Sequence, residues 1–254
     1  MESYSIRDNV LQYRAQQALQ EIMWNACDEV GLDRAKWHVQ QGGDGQLAIL
    51  PAGTSERVVA TRLAPLVDRL LREHNRGLAP EARVRLRLAV HEGPVHLDGA
   101  NGYPGDAVVH VCRLVDSPQL KSALQRFPGS EAALIVSDRI YHDVVRQYQD
   151  LRPEHFLRVT ASLPGKKFEA AAWIYVPGEN AAGRPPLDHE RRGATEDQLD
   201  DGGVDREDRP VPRSTGGGQV FHHITSHGPT AYGNGNTVST NRPDDVVDPR
   251  RPRR

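Results

Sequence analysis

The sequence predicts an α/β domain in which helices pack on an antiparallel-rich sheet, followed by a C-terminal tail outside any core. Three observations predict it. Short β-branched and apolar runs bounded by Gly, Asn and Pro recur along the first part of the chain, as strands ending in turns do. Between them lie segments with apolar residues at three- and four-residue steps, the period of one helix face. From Gly178 the composition changes, and Arg, Asp, Glu, Gly and Pro dominate through Arg213.

Bulk properties narrow the function classes. The chain has 254 residues and a formal net charge of -2, with a pI near 6.6. No global field recruits nucleic acid or an anionic membrane, so neither is expected as a partner. No apolar run approaches the ~18 residues of a spanning helix. No secretory signal pattern opens the chain, and a cytoplasmic location is expected. Cys27 and Cys112 are the two cysteines, and both lie in apolar helical patterns. Buried, reduced thiols are expected there, since a disulfide scaffold or a thiolate zinc site needs more cysteines.

Asn9 to Val30 reads as a helix. Leu11, Ala15, Ala18, Leu19, Ile22, Met23, Ala26 and Val30 form its apolar face, Asp8 or Asn9 can cap it, and Gly31 ends it. Trp37–Gln40 and Gln46–Leu50 are short strands joined by Gln41-Gly42-Gly43-Asp44-Gly45, a glycine-rich hairpin with an acidic tip. Glu56 to Asn75 is a second amphipathic helix, with Val59, Leu63, Leu66, Val67, Leu70 and Leu71 inward. Pro65 lies inside it and predicts a kink or a late start.

Val84 to Asp116 is the central unit. Val84, Leu86, Leu88 and Val90 alternate with Arg85, Arg87 and Ala89, so the first run is a strand with two distinct faces. Gly93-Pro94 marks a turn, and Pro94–Leu97 reads as a further short strand. A Gly/Asn/Pro-rich bend at Gly99–Gly105 then opens a helix through Arg113. Ser117-Pro118 breaks it and starts another, Gln119–Gln125. Ala132–Val136 is a buried strand, Ser137 caps a helix Asp138–Tyr148, and Phe156–Ser162 with Phe168–Val176 form a closing hairpin.

The central unit resembles the class III adenylate/guanylate (nucleotidyl) cyclase catalytic domain, bacterial in style. That family shows His-x-Gly-Pro-Val, a variable loop, then Gly-Asp-x-Val-Asn-x-x-x-Arg-Leu opening a helix. The letters here are His91-Glu92-Gly93-Pro94-Val95 and Gly105-Asp106-Ala107-Val108-Val109-His110-Val111-Cys112-Arg113-Leu114. Met1–Ser5 is similar to the end of the family's first strand, Asp-Ile-x-Gly-Phe-Ser. Met1 takes the apolar place, Ser3 the glycine, Tyr4 the aromatic and Ser5 the hydroxyl. The first strand and its aspartate are then expected upstream of Met1. Gly42-Gly43-Asp44-Gly45 also resembles, at a distance, the Gly-Gly-Asp/Glu-Glu-Phe hairpin of diguanylate cyclases, departing at Gly45 and Gln46. The cyclase resemblance covers Met1 to about Pro177 and implies a ferredoxin-like α+β sandwich.

The resemblance also implies a site. In the family two aspartates hold Mg or Mn on a nucleoside triphosphate, a hairpin lysine and a loop aspartate read the purine, and a helical asparagine and arginine orient ribose and phosphate. Here Asp44 stands at the second metal-ligand place beside Gly43, and Arg113 at the phosphate place. Gln40 replaces the lysine, Gly102 the loop aspartate, and Val109 the asparagine. Gln40 can still bond a base edge, whereas Val109 can make no hydrogen bond. The implied protein is a degenerate cyclase that binds a nucleotide or serves as a dimerising regulatory module. Its alternatives are an active cyclase with altered base recognition and a scaffold working through its tail. The family builds its site between two domains, so a homodimer is expected.

The tail has three parts: a disordered linker over 178–218, a β-prone polar stretch over 219–240, and a disordered basic end over 241–254. The composition of the linker buries too little apolar surface to offset chain entropy. Tyr232-Gly233-x-x-Asn236 resembles short amyloid-forming signalling motifs of bacterial chain ends, uncharged strands with Asn suited to stacking. A protein partner through residues 219–240 is the matching expectation, and a chance pattern in a solvated tail is the plain one. His222, His223 and His227 stand there without the strand or helix context a metal site needs.

Overall fold

The computed structural model describes residues 1–100 and 102–183. The expected linker beyond residue 183, the 219–240 stretch and the basic end lie outside the described residues. The first helix, α1, is Asn9–Glu29. Asp8 caps it, accepting from the Leu11 N–H at 2.8 Å. Strands β1 (His38–Gln41) and β2 (Gln46–Ile49) form the antiparallel hairpin, Gln41 opposite Gln46.

Helix α2 runs as Glu56–Val58, a π-helical turn Val59–Leu63, and Ala64–Asn75. Pro65 has no N–H to give to the turn before it. The helix absorbs this by widening one turn rather than by starting late. At its end Asn75 is buried and bonds both the N–H and the C=O of Val84, at 2.8 and 2.9 Å. The polar end read from the sequence is therefore a backbone clamp for the next strand.

Strand β3 (Leu86–Val90), β4 (Ala132–Ser137), β5 (Leu157–Leu163) and β6 (Phe168–Tyr175) form a four-stranded sheet in the order β3-β4-β6-β5. β3 and β4 are parallel, and the other two pairings are antiparallel. Helices α3 (Asp106–Asp116), α4 (Pro118–Arg126) and α5 complete the fold. α5 is Asp138–Ile140, a π-helical turn Tyr141–Val145, and Arg146–Tyr148. Every residue of β4 is buried. Its Leu134 and Val136 join a cluster with Ala60 and Ala64 of α2 and Ile140, Tyr141, Val144 and Val145 of α5. Ala133 and Ile135 join another with Leu114 of α3 and Leu120 and Leu124 of α4. Adjacent residues of a strand face opposite sides, so helices cover both faces. A mixed α/β fold results, with helices packed against a small mixed sheet.

Three local expectations are corrected. Pro94–Leu97 forms no strand. One side of β3 is taken by β4, Pro94 lacks a donor, and the segment's backbone bond is His96 N–H to Pro104 O at 3.2 Å, which closes a loop. Cys112 is exposed while Cys27 is buried, because Leu114, not Cys112, sits on the inward face of α3. Ser137 occupies the position before α5, yet its side chain makes no capping bond.

The hairpin is not hydrogen-bonded to the four-stranded sheet. Nonetheless Val39, Ala48 and Leu50 from the hairpin and Leu88 and Val90 from β3 pack on one cluster, with Leu19, Ile22, Val67 and Leu71. The first residues bridge the two sheets at one end. The Met1 amine donates to Asp44 O at 2.6 Å, and Glu2 N–H to Arg85 O at 3.1 Å. Further along β3, Arg87 and Ala89 point their backbone groups to the same open side, since alternate residues of a parallel strand bond opposite neighbours.

Candidate functional site

The site residues divide between the hairpin, the loop before α3, and α3 itself. Gln40 lies on β1 and Gly102 in the loop, and these two meet. A Cβ on Gly102 would sit 3.0 Å from Gln40 Oε1, and Gly102 has φ +100°, which disfavours any side chain. Beside them the rings of His38 and Tyr103 touch edge-on, centroids 6.0 Å apart. The variable loop thus closes over the outer hairpin strand.

Gly43 and Asp44 form the hairpin tip. Gln16 of α1 donates to Gly43 O at 2.8 Å and to the Tyr4 hydroxyl at 2.6 Å, fixing tip and N-terminal segment together. The Met1 amine lies 3.7 Å from the Asp44 carboxylate. Burial lowers the pKa of that amine, and the Asp44 charge opposes the shift. Ser3, at the family's glycine place, adopts the left-handed conformation, φ 54° and ψ 25°. Only glycine takes that region without steric cost.

On α3, Val109 is 44% exposed. Arg113 is half-buried, its guanidinium 5.5 Å from the Phe168 ring centroid. Among the described residues no ion pair or hydrogen bond joins Arg113 to Asp44 or Gln40. The structure therefore brings together Gln40 with Gly102, and Asp44 with Met1, but leaves Val109 and Arg113 apart on their helix. Two shallow surface hollows, of about 450 and 300 Å³, are lined by other residues.

Asp44, the candidate metal ligand, stands exposed at the hairpin tip. Among the described residues no group of three or more His, Cys, Asp or Glu side chains is placed to hold a metal ion.

Sequence reasoning missed one cluster beside these residues. His91, just after β3, stacks on His110 of α3, centroids 4.2 Å apart and planes 23° apart. His110 meets Phe168 edge-on at 5.2 Å. His91 was visible only as a letter of the His-x-Gly-Pro-Val resemblance, and no spacing rule connects it with His110.

Comparison with known proteins returns no matching family model, no matching curated protein and no matching solved structure.

Proposed function

We propose that Met1–Pro177 is a degenerate class III nucleotidyl cyclase-like domain that binds a nucleoside triphosphate or related nucleotide as a regulatory module. One observation carries the reading: Gln40 and Gly102, distant in sequence, meet at the pair of places where that family reads its purine. The left-handed Ser3 at a glycine place adds independent support. Gln40 offers an amide donor and acceptor to a base edge, and Arg113 offers charge to phosphate. Efficient cyclisation is not part of the reading. A hydrogen bond is worth roughly 0.5–1.5 kcal/mol, and roughly 1.5–3 where one partner is charged; Val109 forfeits a contact of the first kind and Gly102 one of the second. The exposed Val109 suits an apolar seam between two copies, which would bring Arg113 of one chain toward the hairpin of another.

The test is equilibrium binding of fluorescent ATP and GTP analogues to the full chain, with cyclic products sought by chromatography. Saturable binding that weakens about tenfold or more in Gln40→Ala and Arg113→Ala, without cyclic product, is expected. No binding at millimolar nucleotide overturns the proposal. Steady production of cyclic nucleotide replaces it with the active-cyclase alternative. Sedimentation at tens of micromolar checks the seam, where a clean monomer with and without nucleotide removes the shared cleft.

A further inference from the structure

We propose that His91 and His110 form a proton-gated latch fastening α3 to the end of β3. The two rings stack across the junction of strand, loop and helix, and Phe168 of β6 closes the far side of His110. Three elements thus meet in one column of rings. Gly93 packs close to α3 beside the column: a Cβ there would lie 2.8 Å from Ala107 Cβ and 3.7 Å from His91 Nε2. Among the described residues His91 Nδ1 and His110 Nε2 are buried and have no hydrogen-bond partner. A neutral imidazole can leave one nitrogen bare at modest cost. An imidazolium cannot, because both its nitrogens carry protons and the charge itself needs water or an acceptor.

The charges around the column do not rescue the protonated form. Next to His91 stand Glu92, which favours the charged ring, and Arg139 of α5, which opposes it. Glu92 is already held by an ion pair with Arg139 and by its contact with Glu56. Asp143 also pairs with Arg139, at 3.5 Å. Next to His110 stands Arg113, again opposed to a second positive charge. Burial, the largest cause for both rings, holds each below the ordinary histidine range, and for His91 the neighbouring His110 adds to the effect. The sign follows. The folded chain takes up these protons less readily than the unfolded chain, so the latch contributes fully above the ordinary histidine value of about 6.5. Its contribution is lost as pH falls below that value, until the depressed folded-state values are reached.

Release would free the helix that carries Val109 and Arg113. Any effect on nucleotide binding rests on the function proposed above; the latch itself does not, and its test reads no nucleotide. In the full chain, proton titration of the His Cε1 resonances by NMR should show two rings titrating below the ordinary range. Thermal unfolding is then compared at about pH 8 and about pH 5.5 for wild type, His110→Phe and His110→Ala. Phenylalanine keeps a stacked ring and discards the titration. His110→Phe should therefore match wild type at the higher pH and lose about 3 °C less on acidification. His110→Ala should be less stable at both. A His110→Phe protein with the wild-type pH response overturns the latch. So do ordinary titration values for both rings, a result that stands on wild type alone if the variants fail to fold.

Discussion

Two strands of similar composition have opposite fates in this molecule. Ala132–Ser137 and Gln46–Ile49 are both short and both carry Leu, Ala and Ile. The first has a partner on each side and helices on both faces, and every residue is buried. The second has one partner, and all four residues remain half-exposed. Composition does not separate them; the number of neighbouring strands does. A strand with two neighbours loses water from both edges, and its side chains are roofed by the residues flanking them on each side. The hairpin keeps one edge and part of its face open, although its Ala48 and the adjoining Leu50 reach the same cluster as Leu88 and Val90.

The contrast can be broken by one kind of substitution made in both places. Ile135 is fully buried between helices and sheet, while Ile49 is half-exposed. Ile135→Ala should cost about 3–4 kcal/mol through lost burial and the cavity left behind. Ile49→Ala should cost less than about 1 kcal/mol. Urea unfolding of the two variants measures both. Equal losses would mean that the hairpin is as well packed as the central strand, and the contrast would fail.

A second measurement sharpens it at the boundary. Leu88 and Val90 bond into β4, whereas Arg87 and Ala89 face the open side of β3 beyond the rung made by Glu2 and Arg85. Hydrogen exchange should be at least about tenfold faster at the Arg87 and Ala89 amides than at their two neighbours. Equal protection along the strand would show that the open edge is covered in solution.

These differences explain what could be read in advance. The helices and six of the expected strands were legible because a period of two or 3.6 is written locally, as in Val84 to Val90 and Asn9 to Val30. The Pro94–Leu97 run has the same local look, but its His96 N–H bonds Pro104 O within its own loop and the run pairs with no strand. Pairing partners are a property of the assembled sheet, not of the run. The same limit applies at the site. The Gln40 and Gly102 places came from resemblance, and their meeting depends on a loop folding over a hairpin some sixty residues away. Buried polar anchors such as Asp68, which accepts from the Glu131 and Ala132 N–H groups, look like surface residues in the sequence. Nothing local announces that a helix carboxylate will be needed at the start of a strand.

The smallest expected effect tests how firmly the N-terminal segment belongs to this boundary. Among the described residues Ser3 is one of three non-glycine residues with positive φ, alongside Gln149 and Lys167. A left-handed residue with a Cβ costs about 1–2 kcal/mol. Glycine removes that cost but gives back roughly 0.5–1 kcal/mol of chain entropy on folding. Ser3→Gly should therefore stabilise the protein by no more than about 1 kcal/mol, seen as a small rise in the urea midpoint. Ser3→Val is the informative counterpart, because a β-branched residue is a poor occupant of this region. Its strain reaches global stability only if Met1–Ile6 stays docked, through the Met1 amine on Asp44, Glu2 N–H on Arg85 O, and the Glu2–Arg85 ion pair at 2.7 Å. If the segment can lift away, the loss stops at whatever free energy those contacts supply. Midpoints that fall for Ser3→Val in step with faster exchange at Arg85 and Leu86 would place the segment inside the cooperative unit. An unchanged midpoint with local exchange alone would place it outside, with the hairpin's open side rather than the sheet's closed one.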